Sequence, residues 1–420
     1  MGYISPTPAG NHRANWRDAT GKKKAKTFKT RKEAAAFLAD TESAVNRGTY
    51  VDPHAGKTKF GEYAVRWAGS RVLSARSQER NISILRTHVL PKWSLWPLAR
   101  IDHLTVQEWV HALSSTMAPA TVRKCFGALS MVLRAAVRSR LIAVDPSEGI
   151  TLPSVRVRDG DLITISRADF VGKLLPAVPA EHRGIVSAAA GAGLRWGECA
   201  GLPWGAVNLG DDTLRVYQVA EETSGTVAIR PYPKTRAGVR TIPMAPFLVA
   251  QLRALAARFD REPDPRSLVF ATRAGTPFRR SNFRRQVWRA ALARAGLLGR
   301  VDELGPDKWR AAWLDAKGIE WTREFTTERE AVALVAEHAA GGLRFHHLRH
   351  SYATWLVTAG VPVNITQKVM GHESPSTTLS IYTHTMRDYG DAVRAAFSDL
   401  ADELPTFPTD PPGKEETQAA

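Results

Sequence analysis

Residues 342–356 read GLRFHHLRHSYATWL, and residues 369–385 read VMGHESPSTTLSIYTHT. If the first stretch is helical, His346 and Arg349 lie three residues apart and share one face. In the second, Gly371 has the character of a helix end, and His372 follows it directly. Tyr382 comes ten residues after His372, in a short segment rich in Ser and Thr. A cation fixed on a helix, two imidazoles and a phenol suit a reaction at a phosphodiester. Guanidinium pairs bidentately with non-bridging phosphate oxygens. Imidazole handles protons near neutrality, and a tyrosine oxygen can serve as a covalent nucleophile.

In the order H-x-x-R, G-H, Y these residues resemble the C-terminal signature of the tyrosine recombinase (phage integrase) family. The signature reads here as His346-His347-Leu348-Arg349, Gly371-His372 and Tyr382. Chemically distinct residues in one order at the right spacing make the match specific, whereas H-x-x-R alone carries little. Two more stretches join it. AGLRWGECAGLPW (192–204) resembles the family's first arginine motif, with Arg195 as the first catalytic arginine. Within a helix, Glu198 lies on the same side as Arg195 and can orient it. PKTRAGVRTIP (233–243) resembles the hairpin on which relatives carry the catalytic lysine, here Lys234. Arg236 and Arg240 then read as phosphate or minor-groove contacts.

The resemblance implies a DNA strand transesterification. Tyr382 would form a 3′-phosphotyrosyl bond, and Lys234 would protonate the departing 5′ oxygen. His346 would assist proton transfer, His372 would hydrogen-bond the phosphate, and Arg195 with Arg349 would neutralise the developing charge. One ester replaces another, so neither a nucleotide cofactor nor a metal is expected. No compact acidic cluster of the two-metal nuclease kind accompanies the motifs. The run HHLRH does put His346 and His350 at a zinc-compatible i,i+4 spacing. It lacks the glutamate of H-E-x-x-H and a third ligand, so His350 reads as a core or supporting imidazole. Tyr352 and Tyr389 are rival nucleophiles, and Tyr382 is preferred on spacing.

The bulk composition agrees. The 420 residues carry a formal net charge of +17 and a pI near 10.1, which points to a polyanionic partner. The charge is spread along the chain, at +7 over 1–59, +6 over 60–150 and +8 over 151–400. That spread suits a protein wrapped around double-stranded DNA. Cys125 and Cys199 are far apart in sequence and form no C-x-x-C, so neither a disulfide framework nor a zinc ribbon is indicated. No apolar run approaches the ~18 residues of a membrane span, and the N-terminus lacks a signal-peptide layout. A cytoplasmic protein is expected.

In order, the chain reads as a multidomain protein, mainly helical with small β-sheets. Residues 1–59 form a basic module. Trp16, Asp18, Gly21, the lysines Lys22, Lys23, Lys24 and Lys26, and Phe28 outline a hairpin with a Gly turn. Thr30 and Glu33 stand at capping-box spacing before a helix. Hairpin plus helix resembles the arm-type DNA-binding domain of phage integrases. Residues 60–151 show helical periodicity, with breaks at Pro91, Pro97, Pro119 and Pro146 giving about four helices. This region looks like the family's core-binding domain. After a linker near 152–161, residues 160–400 form a mixed α/β catalytic domain. In it Ser281 is a candidate cap for a helix over 281–296, and Arg279, Arg280, Arg284 and Arg285 make a basic face for DNA. An acidic, Trp-containing insertion spans about 298–341 and reads as a surface excursion, with helix near 327–340. Residues 401–420 are acidic and Pro-rich, hence expected to be disordered. No internal repeat is evident.

The resemblance further implies core and arm DNA sites, a homotetramer on DNA, and an accessory DNA-bending or excision factor. The competing readings are a type IB topoisomerase-like nicking-closing enzyme and a catalytically silent DNA-binding regulator. An arm module argues against the first, and the intact set Arg195, Lys234, His346, Arg349, His372 and Tyr382 argues against the second.

Overall fold

A computed structural model of the chain describes residues 2–18, 21–52, 55–155, 163–223, 225–231, 238–259 and 262–372. The chain divides into two compact units, Met1–Val157 and Arg158–Ala420.

The first unit opens with a three-stranded antiparallel sheet, β1 (Tyr3–Pro6), β2 (His12–Arg17) and β3 (Lys23–Phe28), with β2 central. The expected hairpin is β2–β3. The extra strand β1 is short and ends at Pro6, so its sequence carries little strand signal. Thr30 and Glu33 close the expected capping box on the Arg31–Asn46 helix. That helix lays Ala34 and Leu38 over Ala14 and Trp16, and Phe37 meets Trp16 edge-on at 5.2 Å.

Four helical segments follow, around a separate core containing Phe60, Trp93, Trp109, Leu129 and Leu133. They are Phe60–Gly69, a helix over 75–93, His103–Ser114 and Pro119–Arg138. Pro91 does not break its helix. A π turn at Leu85–Val89 precedes it, with the Leu90 N–H donating back to the Leu85 carbonyl. The widened turn accommodates a ring that would crowd an ordinary helix interior. Pro119 does mark a boundary, as the first residue of its helix.

In the second unit the helix Ala180–Gly191 packs between Pro246–Ala256 and Phe345–Thr358. Small residues permit the approach: a Cβ on Gly191 would lie 2.9 Å from Phe247 and 3.0 Å from Leu248. The strands on either side of the Lys234 stretch, where a hairpin is expected, belong to different sheets. β7 (Thr226–Arg230) pairs with β6 (Val219–Thr223), while β8 (Arg240–Pro243) pairs with β5 (Thr213–Val216), which also pairs with β4 (Val207–Asn208). β6 reads VAEET, with two carboxylates and no clean apolar alternation, so it is easily missed. Ser281 does not cap its helix: Arg279 holds the N-cap position, and the Ser281 hydroxyl approaches Glu222.

The segment expected as a surface excursion is an ordered part of this unit. β9 (Arg300–Gly305), β10 (Lys308–Leu314) and β11 (Glu320–Phe325) form an antiparallel sheet with β10 central, followed by the helix Glu328–His338. Ala311, Trp313, Val332 and Val335 belong to the unit's main core. Its strand order and following helix match those at the front of the chain, so the reading of no internal repeat is corrected.

Candidate active site

The site grows from one buried carboxylate. Glu198 sits in the short helix Trp196–Ala200 and is 3% exposed. Arg195, at the N-cap of that helix, donates from Nη1 to Glu198 Oε1 and from its backbone N–H to Oε2, both at 2.9 Å. Arg240 reaches the same carboxylate from β8, with Nη1 to Oε1 at 3.1 Å and Nη2 to Oε2 at 2.9 Å. This corrects the reading of Arg240 as a DNA contact. Its side chain is buried, and its remaining donors serve the carbonyls of Gly238 and Val369.

Arg349 projects from the Phe345–Thr358 helix and is 1% exposed. Its Nη1 donates to the Gly193 carbonyl and its Nη2 to the Met370 carbonyl. Gly193 is needed there. Its φ is +61°, and a Cβ would lie 2.4 Å from the Tyr352 ring.

The helix Val363–Met370 ends against all three guanidinium groups. Val369 O accepts from Arg240 Nε at 2.7 Å, Met370 O from Arg349, and Gly371 O from Arg195 Nη2 at 3.2 Å. Terminal helix carbonyls lack partners within the helix and carry partial negative charge, so cations suit them. Gly371 takes the left-handed conformation, φ +62°, that closes the helix. His372 follows, its backbone held by Gln367 at 3.2 and 3.3 Å.

Burial pushes the Glu198 carboxyl up, but its hydrogen bond with Arg240 and the charges of Arg240, Arg349 and Arg195 outweigh that and hold it at about 2. Burial, followed by His350 and the arginine charges, takes the His346 imidazole down to about 4. Burial and the three arginines take His372 down to about 3. Burial also lowers Arg349, to about 9, which leaves it cationic at neutral pH. Near neutrality the site therefore presents two neutral imidazoles beside three guanidinium groups, two of them bonded to one carboxylate. The surplus positive charge suits an anion. Arg195, with its side chain 40% exposed, has donors to offer one.

The structure thus gathers Arg195, Glu198, Arg349, His346 and His372. Lys234, Arg236, Tyr382 and Tyr389 lie outside the described residues. Tyr352 is a core residue packed on Met370, and burial pushes its phenol up. His346 and His350 stack edge-on at 4.9 Å. Among the described residues no cluster of His, Cys, Asp and Glu has the make-up of a metal site. In the front module Lys22 and Lys23 are exposed, whereas Lys24 pairs with Asp52 and Lys26 lies 4.8 Å from the Phe37 ring centroid. Arg280 and Arg284 are exposed at the start of their helix.

Sequence reasoning missed Arg240 as the third member of the cluster. One signal was available: in a strand, Arg240 shares its face with the buried Ile242.

Comparison with known proteins bears on this arrangement. The phage integrase family profile matches residues 168–320 and 323–388, more than half of the chain. A prophage phiRv2 integrase of Mycobacterium tuberculosis strain H37Rv is 25% identical over 229 residues, which cover 53% of this chain and 60% of that relative. The Tn1549 transposon integrase, solved in complex with transposon right end DNA, is similar in fold at TM-score 0.56 and 17% identity, covering 82% of this chain and 100% of that one. A lambda integrase, solved as a tetramer bound to a Holliday junction, gives TM-score 0.52 at 14% identity, covering 92% of this chain and 96% of that one. The chain belongs to the phage integrase family of tyrosine recombinases.

Proposed function

We propose that this protein is a site-specific DNA recombinase that cleaves and rejoins DNA through a 3′-phosphotyrosyl intermediate, for integration or excision of a mobile element. The observation that carries the reading is the cluster of Arg195, Arg240 and Arg349 around Glu198, with His346 and His372 beside it. A phosphodiester passing to its transition state accumulates charge on the non-bridging oxygens. Preorganised guanidinium donors stabilise that charge without reorganising. Arg195 and Arg349 take this role, and Glu198 with Arg240 fixes the geometry. His346, neutral at rest, accepts the proton of the attacking phenol, and His372 donates to the phosphate.

Tyr382 as nucleophile and Lys234 as acid to the leaving 5′ oxygen rest on the sequence pattern. In the same reading, residues 1–59 contact a separate arm site, residues 60–151 and the exposed Arg280 and Arg284 contact the core site, and four copies act together on DNA. Integrase relatives solved on DNA, one of them as a tetramer, support this reading. An accessory DNA-bending factor is compatible with it.

The test is a covalent trap. On a nicked suicide substrate the wild-type protein should yield a protease-sensitive adduct, and Tyr382→Phe should bind the DNA and yield none. An adduct that persists in Tyr382→Phe moves the nucleophile elsewhere. No adduct with the wild type on any matched attachment DNA removes the recombinase reading.

A further inference from the structure

The front of the chain and the segment inside the second unit are two copies of one module. Residues 13–39 align with 310–336 without a gap, at a constant offset of 297, and 12 of the 27 positions are identical. Identity falls where the fold needs it. Ala14 and Trp16 match Ala311 and Trp313 in the core, and Asp18 and Gly21 match Asp315 and Gly318 in the turn. Phe28 matches Phe325, and the cap pair Thr30 and Glu33 matches Thr327 and Glu330.

The structure repeats at the same offset. His12↔Phe28 of β2–β3 becomes Trp309↔Phe325 of β10–β11, and Tyr3↔Asn15 of β1–β2 becomes Arg300↔Ala312 of β9–β10. Gly21 and Gly318 have φ of +81° and +79°, and each donates its N–H to the matching Asp carbonyl. Both helices start at corresponding residues, Arg31 and Glu328.

The surfaces have diverged. Net charge is +5 over 3–46 and −3 over 300–343. On the sheet face away from the helix, Arg13, Arg17 and Lys23 become Arg310, Leu314 and Glu320. The arginine that remains is neutralised in place: Glu324 lies 3.3 Å from Arg310 and 3.2 Å from Lys308. At the tip of the hairpin the cations Arg17, Lys22 and Lys24 are replaced by Leu314, Ile319 and Trp321, each about half exposed. Losing cations removes phosphate contacts, and exposed apolar side chains on both faces of a hairpin end, an indole among them, suit a protein interface.

We propose that residues 300–343 are a duplicate of the front module that has exchanged nucleic-acid contact for docking on a second copy of this chain, through the tip formed by Leu314, Ile319 and Trp321. Charge selects that occupant. The module is acidic, with Glu320 paired directly opposite Leu314 at the tip, and the front 150 residues of every other copy carry +7 over 1–59 and +6 over 60–150. The inference rests on the recombinase reading in placing several copies on one DNA and in giving the front module its nucleic-acid contact.

The test uses the full chain carrying Leu314→Ser, Ile319→Ser and Trp321→Ser together. Assembly is read by mass photometry on DNA with two core half-sites, and binding is read on a single half-site. The variant should need roughly tenfold more protein to form the multi-protomer complex, with unchanged half-site affinity and salt slope. Unaltered assembly would overturn the proposal. So would a weakened half-site affinity with a smaller salt slope, since the module would then be touching DNA. If the triple variant melts early, Glu320→Lys, exposed and paired with Leu314, serves instead and should weaken assembly in the same way. Covalent trapping on a half-site is read separately, so a failure of the recombinase reading shows there and not in the stoichiometry.

Discussion

Arg240 and Glu198, 42 residues apart in sequence, meet in a two-pronged ion pair sealed from solvent, with Nη2–Oε2 at 2.9 Å and Nη1–Oε1 at 3.1 Å. Arg195 shares the same carboxylate, and Arg349 lies close enough to bias its charge. The pair ties β8 to the helix that presents Arg195, and Arg240 also holds the end of the helix that precedes His372. Three sequence motifs are thus fastened at one point.

Removing that point should be costly. Glu198→Ala leaves the Arg240 charge buried without its partner, a loss of ~3–5 kcal/mol in a folded protein. Urea unfolding of the variant should show a midpoint shift of that size, and covalent trapping should fall with it. A variant of wild-type stability would mean that the pair contributes nothing net.

Gly193 tests the seat of Arg349. Gly193→Ala must hold alanine at φ +61° and push against Tyr352, at a combined cost of ~2–4 kcal/mol. The same variant should lose strand cleavage beyond its loss of stability, because the Gly193 carbonyl carries Arg349. Full activity per folded molecule would show that Arg349 needs no such support.

Much of this site is legible in the sequence, because its chemistry is fixed by residue type at short range. His346 and Arg349 share a helix face by spacing alone, Gly371 announces a helix end, and the Thr30 box is read directly. What stayed hidden depends on long-range packing. Arg240 looks like a surface cation until β8 pairs with β5 and turns it inward. The three helix-end carbonyls that receive the arginines, at Val369, Met370 and Gly371, have no side-chain signature. The second module escaped because its charge is reversed at the positions the eye follows. Lys23 against Glu320 and Arg31 against Glu328 mask a backbone register that is otherwise the same.

The proposed acid can be tested without a described position for it. Lys234→Ala should cleave ordinary substrate far more slowly, and a substrate with sulfur at the bridging 5′ position should restore cleavage, because a thiolate leaves without a proton. Absence of rescue, with DNA binding intact, would assign Lys234 to binding.

The last prediction concerns pH. His346 and His372 titrate at about 4 and about 3 in the folded protein, burial being the main cause for both. In the unfolded chain an imidazole titrates near ~6.5. The folded pKa values are the lower ones, so below pH ~6.5 the unfolded chain binds protons that the folded protein refuses, and stability falls with falling pH. The contribution is intact above that value and is lost progressively down to the folded values. Glu198 acts in a different window. Its folded value of about 2 lies below the ordinary carboxylate range, so its stabilisation holds through pH 5 and fails only as the pH drops from about 4 toward 2. Urea midpoints should therefore be level between pH 8 and pH 7 as far as these groups act, and should decline between pH 6.5 and pH 5. His346→Gln combined with His372→Gln should reduce that decline, the remainder coming from His347, which burial holds at about 4, and His350, which burial also lowers, and should leave the acid limb below pH 4 in place. DNA supplies the opposite sign. A phosphodiester anion beside the imidazoles favours their charged form, so binding near pH 6 should take up protons, measured as a buffer-dependent heat in calorimetry. Binding heats that do not depend on the buffer, in a protein whose stability does decline below pH 6.5, would place the phosphate away from His346 and His372.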